Sequence, residues 1–398
     1  MGEWREYKLG EAPLAIIDGD RGKNYPSQSE FQPVGHCLFL STKNVRETGF
    51  DFSDCSFISK DRDQLLRKGK LERFDTVLTT RGTIGNLGFY NETIPFDNIR
   101  INSGMVIIRP QISYLNPTFC YYIFRALQKD FESFTSGSAQ PQLPIRDLSN
   151  ITIYLPSLSV QSSISNILLN LDAKIDLLHR QNKTLEALGE TLFRQWFVEG
   201  VEQSWEVKPL NDVISVKGGT TPRTDVPEYW DGDIAWTSPR DLSESVSIFL
   251  TNTSRKITKE GLAQIGSGLL QVGTVLLSSR APIGYLVITD IPVAINQGYI
   301  AIICDKIVSR YFMYLWVKRN LDTIIGAANG TVFLEISKST FKTLEISVPP
   351  TQLLEKFDSI VSHLFNKIKV NLYQIQTLTR LRDTLLPKLM SGEVRVKV

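Results

Sequence analysis

Two stretches of this chain carry apolar residues at alternating intervals of three and four positions. This spacing predicts two long helices, each with an apolar seam that runs for five heptads. Neither seam can bury itself alone, so we expect the two helices to pair. The first seam consists of Ile164, Leu168, Leu171, Ile175, Leu178, Asn182, Leu185, Gly189, Leu192 and Trp196, and the second of Phe357, Val361, Leu364, Ile368, Asn371, Ile375, Leu378, Arg382, Leu385 and Leu389.

The polar exceptions indicate how the two helices pair, because an Asn in an apolar seam is costly unless another polar group meets it. An antiparallel register in which partner numbers sum to 553 places Asn182 opposite Asn371 and leaves the other layers apolar, with two exceptions. Leu171 meets Arg382, whose stem could reach past it to solvent. Gly189 meets Leu364 in a layer that is loosely filled.

An antiparallel pair has a geometrical consequence. Helices of about 37 residues span ~55 Å, and one globular domain is expected at each end of the pair. The two domains would be related by a pseudo-twofold axis near Arg180. Readers of DNA half-sites about one helical turn apart have a comparable arrangement.

Outside the two seams the pattern changes to short β-type runs separated by Gly, Pro and Asn turns. Examples are DTVLTT at 75–80, GMVIIRP at 104–110 and ITIYLP at 151–156. One amphipathic helix accompanies each set of runs, at 116–131 and 308–321. The pattern predicts a small α/β domain ahead of each long helix.

The chain is an internal duplication. A shift of 193 residues brings 155–175 onto 348–368 without a gap, and the segments TVLTTRGTIG and TVLLSSRAPIG repeat upstream. A repeat of this length is a duplicated domain with a duplicated connector rather than a solenoid. The predicted fold is α+β, with two α/β domains separated by a pair of antiparallel coiled-coil helices. Its predicted parts are domain 1 (1–155), a central helix (156–200), domain 2 (201–348) and a C-terminal helix (349–398).

Composition narrows the class of protein. Of the 398 residues, 42% are apolar and 22% are charged, and the net charge is +2, so bulk charge alone does not suggest a nucleic-acid ligand. No apolar run is long enough for a membrane span and the N-terminus does not resemble a secretion signal, so we expect a cytoplasmic protein. The four cysteines are scattered, which predicts free thiols and no metal site.

No catalytic site is predicted. The Asn-Pro pair at Asn116 is better explained as a helix start than as part of a methyltransferase motif. GDRGK at 19–23 is too short for a phosphate-binding loop, and GSGLLQ at 266–271 lacks the third glycine of a dinucleotide-binding motif. We expect no cofactor.

Several segments resemble the specificity-subunit family of type I restriction-modification systems. The stretch 216–242 is similar to the opening of that family's target-recognition domain, and 378–396 is similar to the way its last helix ends. The twin TVLTTRGTIG and TVLLSSRAPIG segments are similar to its strand-turn element. The first copy departs from the family, because 18–31 lacks the GGTT and YW element of the second copy.

The resemblance implies a non-catalytic subunit in which each recognition domain reads one half of a bipartite, asymmetric DNA site. It implies as partners two copies of a modification methyltransferase subunit and, through the complex, a restriction and translocation subunit. Two other functions stay open, a methyltransferase with a fused recognition domain and a coiled-coil scaffold with protein-binding heads.

DNA-reading loops need bidentate donors and amides for bases, with hydroxyls and cations for phosphates. An alternative role for the twin arginines is to tie each glycine turn to its sheet. For Phe193, Trp196 and Phe197 we predict a partner-binding surface, with capping of the coil as the alternative. The predicted DNA-binding residues are Lys43, Asn44, Thr80, Arg81, Ser138, Gln140, Gln142, Arg146, Thr221, Arg223, Arg240, Ser279, Arg280, Asn329, Thr331 and Lys338.

Overall fold

The computed structural model describes residues 4–135, 141–243, 247–280, 282–330 and 334–397. It divides into two compact units, each of which contains one globular domain and a part of each long helix. Unit 1 comprises 1–175 and 377–398, and unit 2 comprises 176–376. No described helix is long and apolar enough to cross a membrane.

The long helices occupy the two stretches that the heptad pattern predicts. They are Leu158–Arg194 (α4), which continues into a π-helical turn at Gln195–Glu199, and Thr351–Met390 (α11). The preceding strands end at Leu155 and Val348, close to the predicted boundaries at 155 and 348.

Unit 1 is built on a four-stranded sheet of order β2-β10-β7-β8 and a three-stranded sheet of order β6-β3-β9, with the small pairs β1-β11 and β4-β5. Its strands are Arg5–Lys8 (β1), Leu14–Asp18 (β2), Cys37–Leu40 (β3), Val45–Arg46 (β4), Gly49–Phe50 (β5), Phe57–Ile58 (β6), Thr76–Thr79 (β7), Leu87–Phe89 (β8), Ile99–Ile101 (β9), Met105–Pro110 (β10) and Thr152–Leu155 (β11). Its shorter α-helices are Lys60–Leu65 (α1), Pro117–Leu127 (α2) and Ile145–Ser149 (α3), and its 3-10 turns are Gln28–Glu30, Thr42–Asn44 and Gln128–Phe134.

Unit 2 repeats this plan with a five-stranded sheet of order β13-β20-β17-β18-β15, a three-stranded sheet of order β16-β14-β19 and the pair β12-β21. Its strands are Glu206–Pro209 (β12), Ser215–Lys217 (β13), Trp230–Thr237 (β14), Phe249–Leu250 (β15), Arg255–Ile257 (β16), Val275–Ser278 (β17), Leu286–Thr289 (β18), Ala294–Ile295 (β19), Tyr299–Ile303 (β20) and Glu345–Val348 (β21). Its shorter α-helices are Leu210–Val213 (α5), Pro239–Ser243 (α6), Lys259–Ala263 (α7), Arg310–Arg319 (α8), Leu321–Gly326 (α9) and Lys338–Thr343 (α10), with a 3-10 turn at Pro227–Tyr229.

The first copy builds the small three-stranded sheet although it lacks the sequence element that marks this region in the second copy. Strand β3 pairs antiparallel with β6 and parallel with β9, and β14 pairs in the same two ways with β16 and β19. The departure in sequence at 18–31 therefore does not remove this part of the fold.

The helix within each globular domain begins at a polar cap that also contacts a long helix. Asn116 Oδ1 accepts a hydrogen bond from Phe119 N at 3.0 Å, which is the helix start predicted from the Asn-Pro pair. At the equivalent place in unit 2, Ser309 caps α8 and donates a hydrogen bond to Asp358 on α11. Ser165 Oγ on α4 donates to Asn116 Oδ1 at 3.3 Å, so in both copies one residue starts a helix and contacts a long helix.

In unit 1 the antiparallel seam packs Ile164 and Leu168 of α4 into one core with Leu386 and Leu389 of α11. The predicted snorkelling of Arg382 is wrong. Its guanidinium is only 12% exposed and donates a hydrogen bond to Asp172 Oδ1 at 2.8 Å. The partner of Arg382 is therefore the carboxylate of Asp172 on α4, one position after the Leu171 of the predicted layer.

In unit 2 the polar layer forms as the antiparallel register requires. Asn371 is fully buried, and its Nδ2 donates a hydrogen bond to Asn182 Oδ1 at 2.9 Å. The glycine at position 189 is also explained by packing, because the buried ring of Phe365 fills the space beside it. A Cβ on Gly189 would lie 3.1 Å from that ring. The layer predicted to be loose is therefore closed by the residue after Leu364.

Candidate nucleic-acid interface

The duplicated turn has the same hydrogen-bonded construction in both units. In unit 1, Thr79 Oγ1 accepts a hydrogen bond from Asn86 N at 2.9 Å, and in unit 2 Ser278 Oγ accepts one from Tyr285 N at 2.8 Å. Each hydroxyl also donates to a carbonyl inside the turn, that of Thr83 or Pro282. A hydroxyl at the end of the strand therefore closes the turn in each copy.

Positive backbone angles explain the glycines of this turn. Gly85 has φ of 89° and Gly284 has φ of 120°, a region that L side chains rarely adopt. Both belong to the turn's construction, as the sequence indicated.

The twin arginines are not what ties the turns to their sheets. Within the described residues the Arg81 side chain has no ion pair and no hydrogen bond, and its guanidinium is exposed. Arg280 is 39% exposed and its Nη1 lies 3.7 Å from Glu335 Oε2. Since the hydroxyls of Thr79 and Ser278 close the turns, the exposed Arg81 guanidinium is available to a ligand, and that of Arg280 is partly exposed beside Glu335.

Each turn is paired through its backbone with the loop that precedes a short helix. Arg81 forms an antiparallel bridge with Gln142, and Arg280 forms one with Glu335. The flanking bonds match as well, since Leu143 N donates to Thr80 O at 2.9 Å and Ile336 N donates to Ser279 O at 3.0 Å. The residue facing the arginine is thus fixed in both copies, but it is an amide in one and a carboxylate in the other.

A second loop lies against each turn and brings a cation to it. In unit 1 the Gly104 carbonyl accepts a hydrogen bond from Thr80 N in the turn. The methyl group of Thr42 lies 2.9 Å from the position that a Cβ would take on Gly104, and Lys43 follows Thr42. In unit 2, Pro239 lies 3.0 Å from the same position on Gly298, and Arg240 follows it. Lys43 and Arg240 are both exposed. They are equivalent residues beside the two turns.

The loops that carry these cations are held by equivalent caps. Asn44 Oδ1 accepts a hydrogen bond from Ser41 N at 2.9 Å, and Asp241 Oδ2 accepts one from Ser238 N at 2.8 Å. Burial would raise the pKa of Asp241, but hydrogen bonds from Ser238 and Ser254 outweigh it and lower the pKa. The carboxylate therefore stays charged within the cap.

Arg21 was not among the predicted residues, but it lies beside the unit 1 turn and forms an ion pair with Asp18 at 3.1 Å. Its Nη2 donates to Ser103 O at 3.3 Å, and it lines a cavity of about 300 Å³ together with Arg81 and Gln142. Thr221 is the counterpart of Arg21 in unit 2. Its hydroxyl donates a hydrogen bond to Gln297 at 2.7 Å, and Gln297 occupies the position that corresponds to Ser103. The signal was present in GDRGK, which had been considered only as a phosphate-binding loop.

Other predicted residues lie around the same surfaces. Arg146, in α3, is 87% exposed and contacts Asp147. Lys338 opens α10 and lies against Gly218. Asn329 pairs through its backbone with Glu335 and is exposed. Arg223 is exposed and forms an ion pair with Asp225 at 2.7 Å. The predicted Ser138, Gln140 and Thr331 lie outside the described residues.

Burial argues against direct DNA contact by three predicted residues in this conformation. Thr80 is 5% exposed and Ser279 is 3% exposed, and the Thr80 hydroxyl already donates to Gly104 O. Asn44 is 4% exposed, and its amide donates to the carbonyls of Asp51 and Asp54. These three side chains shape the loops from which their neighbours project.

The predicted partner surface requires a similar correction. Phe193 and Phe197 are buried in the core of unit 2, where their rings pack on Phe312 and Phe357. Trp196 is only partly buried, and its ring centroid is 5.9 Å from that of Phe357. The capping alternative accounts for the two phenylalanines, because buried rings offer a partner no surface.

Unit 2 has an additional basic and aromatic patch that the sequence pattern did not reveal. The guanidinium of Arg255 stacks over the Trp230 ring at 3.5 Å from its centroid, and Trp236 stands at 5.5 Å. Arg255 and the adjacent Lys256 are exposed on an edge strand. Stacking on an indole holds a guanidinium in place while its N–H groups remain free to donate.

No group of three or more His, Cys, Asp or Glu side chains within the described ranges is arranged to hold a metal ion. His36, adjacent to Cys37, has its Nε2 3.7 Å from Asp63 Oδ2 in an ion-pair cluster with Lys70 and Arg100. The exposed amides and cations around the two turns are a set suited to binding phosphates and base edges.

Known proteins resemble this chain along most of its length. A family model described as type I restriction modification DNA specificity domain matches residues 1–187 and again 202–380. The MjaIX specificity subunit of Methanocaldococcus jannaschii is 35% identical over 45% of this chain and 42% of its own length. The HindI specificity subunit of Haemophilus influenzae is 23% identical over 99% of this chain and 100% of its own length.

Among solved structures, the S subunit of the type I restriction-modification system from M. genitalium shares the fold, with a TM-score of 0.60 and 16% identity over 98% of this chain and 96% of that one. The twofold match of the family model coincides with the two copies of the turn, its paired loop and its neighbouring cation. The chain therefore belongs to the family of type I restriction-modification DNA specificity domains.

Proposed function

We propose that the chain is the DNA sequence-specificity subunit of a type I restriction-modification complex. The observation that carries the proposal is that one cationic turn occurs in both units on the same backbone frame, whereas the polar residues around it differ. Equivalent frames with different side chains are what two unlike half-sites require, because phosphate contacts position a reader and base contacts specify the sequence.

In unit 1 the proposed surface combines cations with an amide. Arg21, Lys43 and Arg146 are placed to meet phosphates or bases around Arg81, and Gln142 suits an adenine edge. In unit 2 the corresponding set is Thr221, Arg240, Arg280 and Glu335, to which Lys338, Asn329 and the stacked Arg255 add. The two sets differ in charge, so the two half-sites should differ in sequence.

The chain itself contributes no chemistry under this proposal. It binds no cofactor, and methyl transfer and cleavage belong to partner subunits. The partners are two copies of a modification methyltransferase subunit, to which a restriction and translocation subunit adds, in the cytoplasm. The paired helices set the distance between the two recognition surfaces.

For the methyltransferase contact we propose the outward faces of the long helices in place of the buried Phe193 and Phe197. These faces expose several large apolar side chains, which would favour a protein partner where they form a contiguous patch. They include Leu158, Ile167, Leu169, Leu177, Leu188, Ile360, Val370 and Leu381.

Mapping methylated positions in the host genome with and without this chain tests the proposal. The expected result is one bipartite, asymmetric motif that loses methylation when the chain is deleted. Alanine at Arg81 should relax one half of the motif, and alanine at Arg280 should relax the other. Unchanged methylation on deletion would reject the proposal.

Two further measurements address the other functions that the sequence left open. Binding of S-adenosylmethionine by the isolated chain would favour a fused methyltransferase. A purified complex that shows no sequence-selective DNA binding at a stated, moderate salt concentration would favour a protein-binding scaffold. Salt must be fixed because nonspecific phosphate contacts weaken steeply as it rises.

A further inference from the structure

The pair formed by Arg280 and Glu335 differs from its counterpart in unit 1 by one charge. Both side chains are partly exposed, at 39% and 47%, and Arg280 Nη1 lies 3.7 Å from Glu335 Oε2. Their backbones form an antiparallel bridge, and the bond from Ile336 N to Ser279 O at 3.0 Å fixes that bridge. A donor group and an acceptor group therefore stand side by side on a rigid base.

The duplication supplies an internal comparison. Arg81 and Gln142 form the same bridge in unit 1, so Gln142 occupies the place of Glu335. Ion pairs as exposed as that of Arg280 contribute little to stability, so the fold does not account for a carboxylate at this position. A carboxylate beside DNA phosphates is repelled by them, and the role that fits it is to accept a hydrogen bond from a base.

The geometry points to a specific ligand for this pair. Resting on the proposed DNA-reading function, we propose that Arg280 and Glu335 together read one G·C base pair in the major groove. The guanidinium donates to guanine O6 and N7, and the carboxylate accepts from the N4 amino group of cytosine. Guanine O6 and cytosine N4 are hydrogen-bonded to each other at ~3 Å, so groups facing them stand at a comparable separation.

The corresponding surface of unit 1 follows a different rule. Arg81 suits a guanine edge. Because the Gln142 amide has both a donor and an acceptor, it suits an adenine edge and does not require a cytosine amino group. The half-site of unit 2 is therefore expected to contain a G·C pair whose recognition needs a negative charge, and the half-site of unit 1 is not.

The test compares Glu335→Gln with the unmodified protein, using the full chain in complex with its methyltransferase subunit. Binding is measured on duplexes that contain the methylated motif with one base pair changed at a time. We expect discrimination at one G·C pair of the unit 2 half-site to fall by about 5- to 100-fold. Discrimination at every other position should stay within about twofold.

Gln142→Glu is the matched control, since it places the same charge on the same frame in unit 1. It should weaken binding of the motif because a carboxylate has no N–H group to donate to an adenine edge and is repelled by the phosphates. Equal thermal stability of both variants and the parent protein shows that folding is not the cause. Arg280→Lys should reduce discrimination at the same base pair as Glu335→Gln, because an ammonium cannot make the bidentate contact.

Two outcomes separate this inference from the proposed function. A parent complex without any sequence preference would reject both. A parent complex that is selective, with Glu335→Gln leaving discrimination unchanged or altering affinity equally for all duplexes, would overturn only the reading of a G·C pair by Arg280 and Glu335.

Discussion

At the scale of single residues, Gly189 shows how a missing side chain can be a packing requirement. The ring of Phe365 fills the place that a side chain would occupy in α4, and it stands 3.1 Å from the position of a Cβ. The heptad pattern identified an odd layer at this position. It could not identify the neighbour, because Phe365 lies one position outside the seam and its direction depends on the packing of unit 2.

Replacing Gly189 by Leu should therefore lower the free energy of unfolding by about 1–3 kcal/mol, since the added side chain overpacks a filled layer. Urea denaturation followed by circular dichroism measures the change. Ala187→Leu, at an exposed position two residues earlier in the same helix, is the control and should change stability by less than about 0.5 kcal/mol. Equal effects of the two substitutions would show that the layer has room.

Asp63 links the stability of unit 1 to pH. Burial would raise its pKa, but hydrogen bonds and charge from Lys70 and Arg100 outweigh burial and lower the pKa below its ordinary value. A carboxyl group with a lowered pKa in the folded state stabilises the fold above its unfolded pKa. That stabilisation is lost as pH falls through the folded pKa.

Between about pH 5 and pH 2 the parent protein should accordingly lose stability that Asp63→Asn does not lose. Thermal melting of both proteins across this range measures the difference, which is the slope of melting temperature against pH. Asp61→Asn, a change of an exposed carboxyl group in the same helix, is the control and should keep the parent slope. An unchanged slope in Asp63→Asn would contradict the assignment.

At the scale of elements, the two long helices are identified almost completely by their sequence. The 3–4 spacing predicts both helices, and the two asparagines favour their antiparallel register, since parallel pairing along the repeat places Asn182 against Ile375. The ion pair between Asp172 and Arg382 was not predicted. Asp172 lies beside the seam rather than in it, so a two-position pattern does not include it.

The asparagine layer should be energetically coupled. Asn182→Leu alone leaves the buried amide of Asn371 without its 2.9 Å partner and should destabilise the protein by about 1–3 kcal/mol. The double variant with Asn371→Leu should recover most of that loss, because two apolar residues can pack in the layer. Unfolding free energies of the four proteins form a double-mutant cycle. Strictly additive effects would mean that the two amides do not depend on each other.

The recognition surfaces were less predictable from sequence than the helices. The turns, their arginines and the cations at Lys43 and Arg240 were found because duplication repeats them. Arg21 and Glu335 were not predicted, since each joins the proposed surface only through partners that are distant along the chain. Burial of Thr80, Asn44 and Ser279 also depends on tertiary contacts, so a loop position alone could not reveal it.

At the scale of the whole molecule, the proposed function gives the paired helices the role of a spacer between the two half-site readers. Inserting one matched heptad into α4 and α11 between the two units adds ~10 Å of helix, which corresponds to ~3 base pairs of DNA. The motif methylated by the variant should keep both half-sites and lengthen the gap between them by about this amount. Methylome sequencing measures the gap, and an unchanged gap would contradict a spacing role.

Strand β1 and the segment after α11 belong to the same unit, and there they touch. A Cβ on Gly392 would lie 2.9 Å from the indole of Trp4, so the first strand and the segment after α11 are neighbours in space. A short peptide could join them, and new ends could be opened in the exposed stretch at 200–204. The same fold should then form from a circularly permuted chain, in which the segment after 204 precedes the segment before 200.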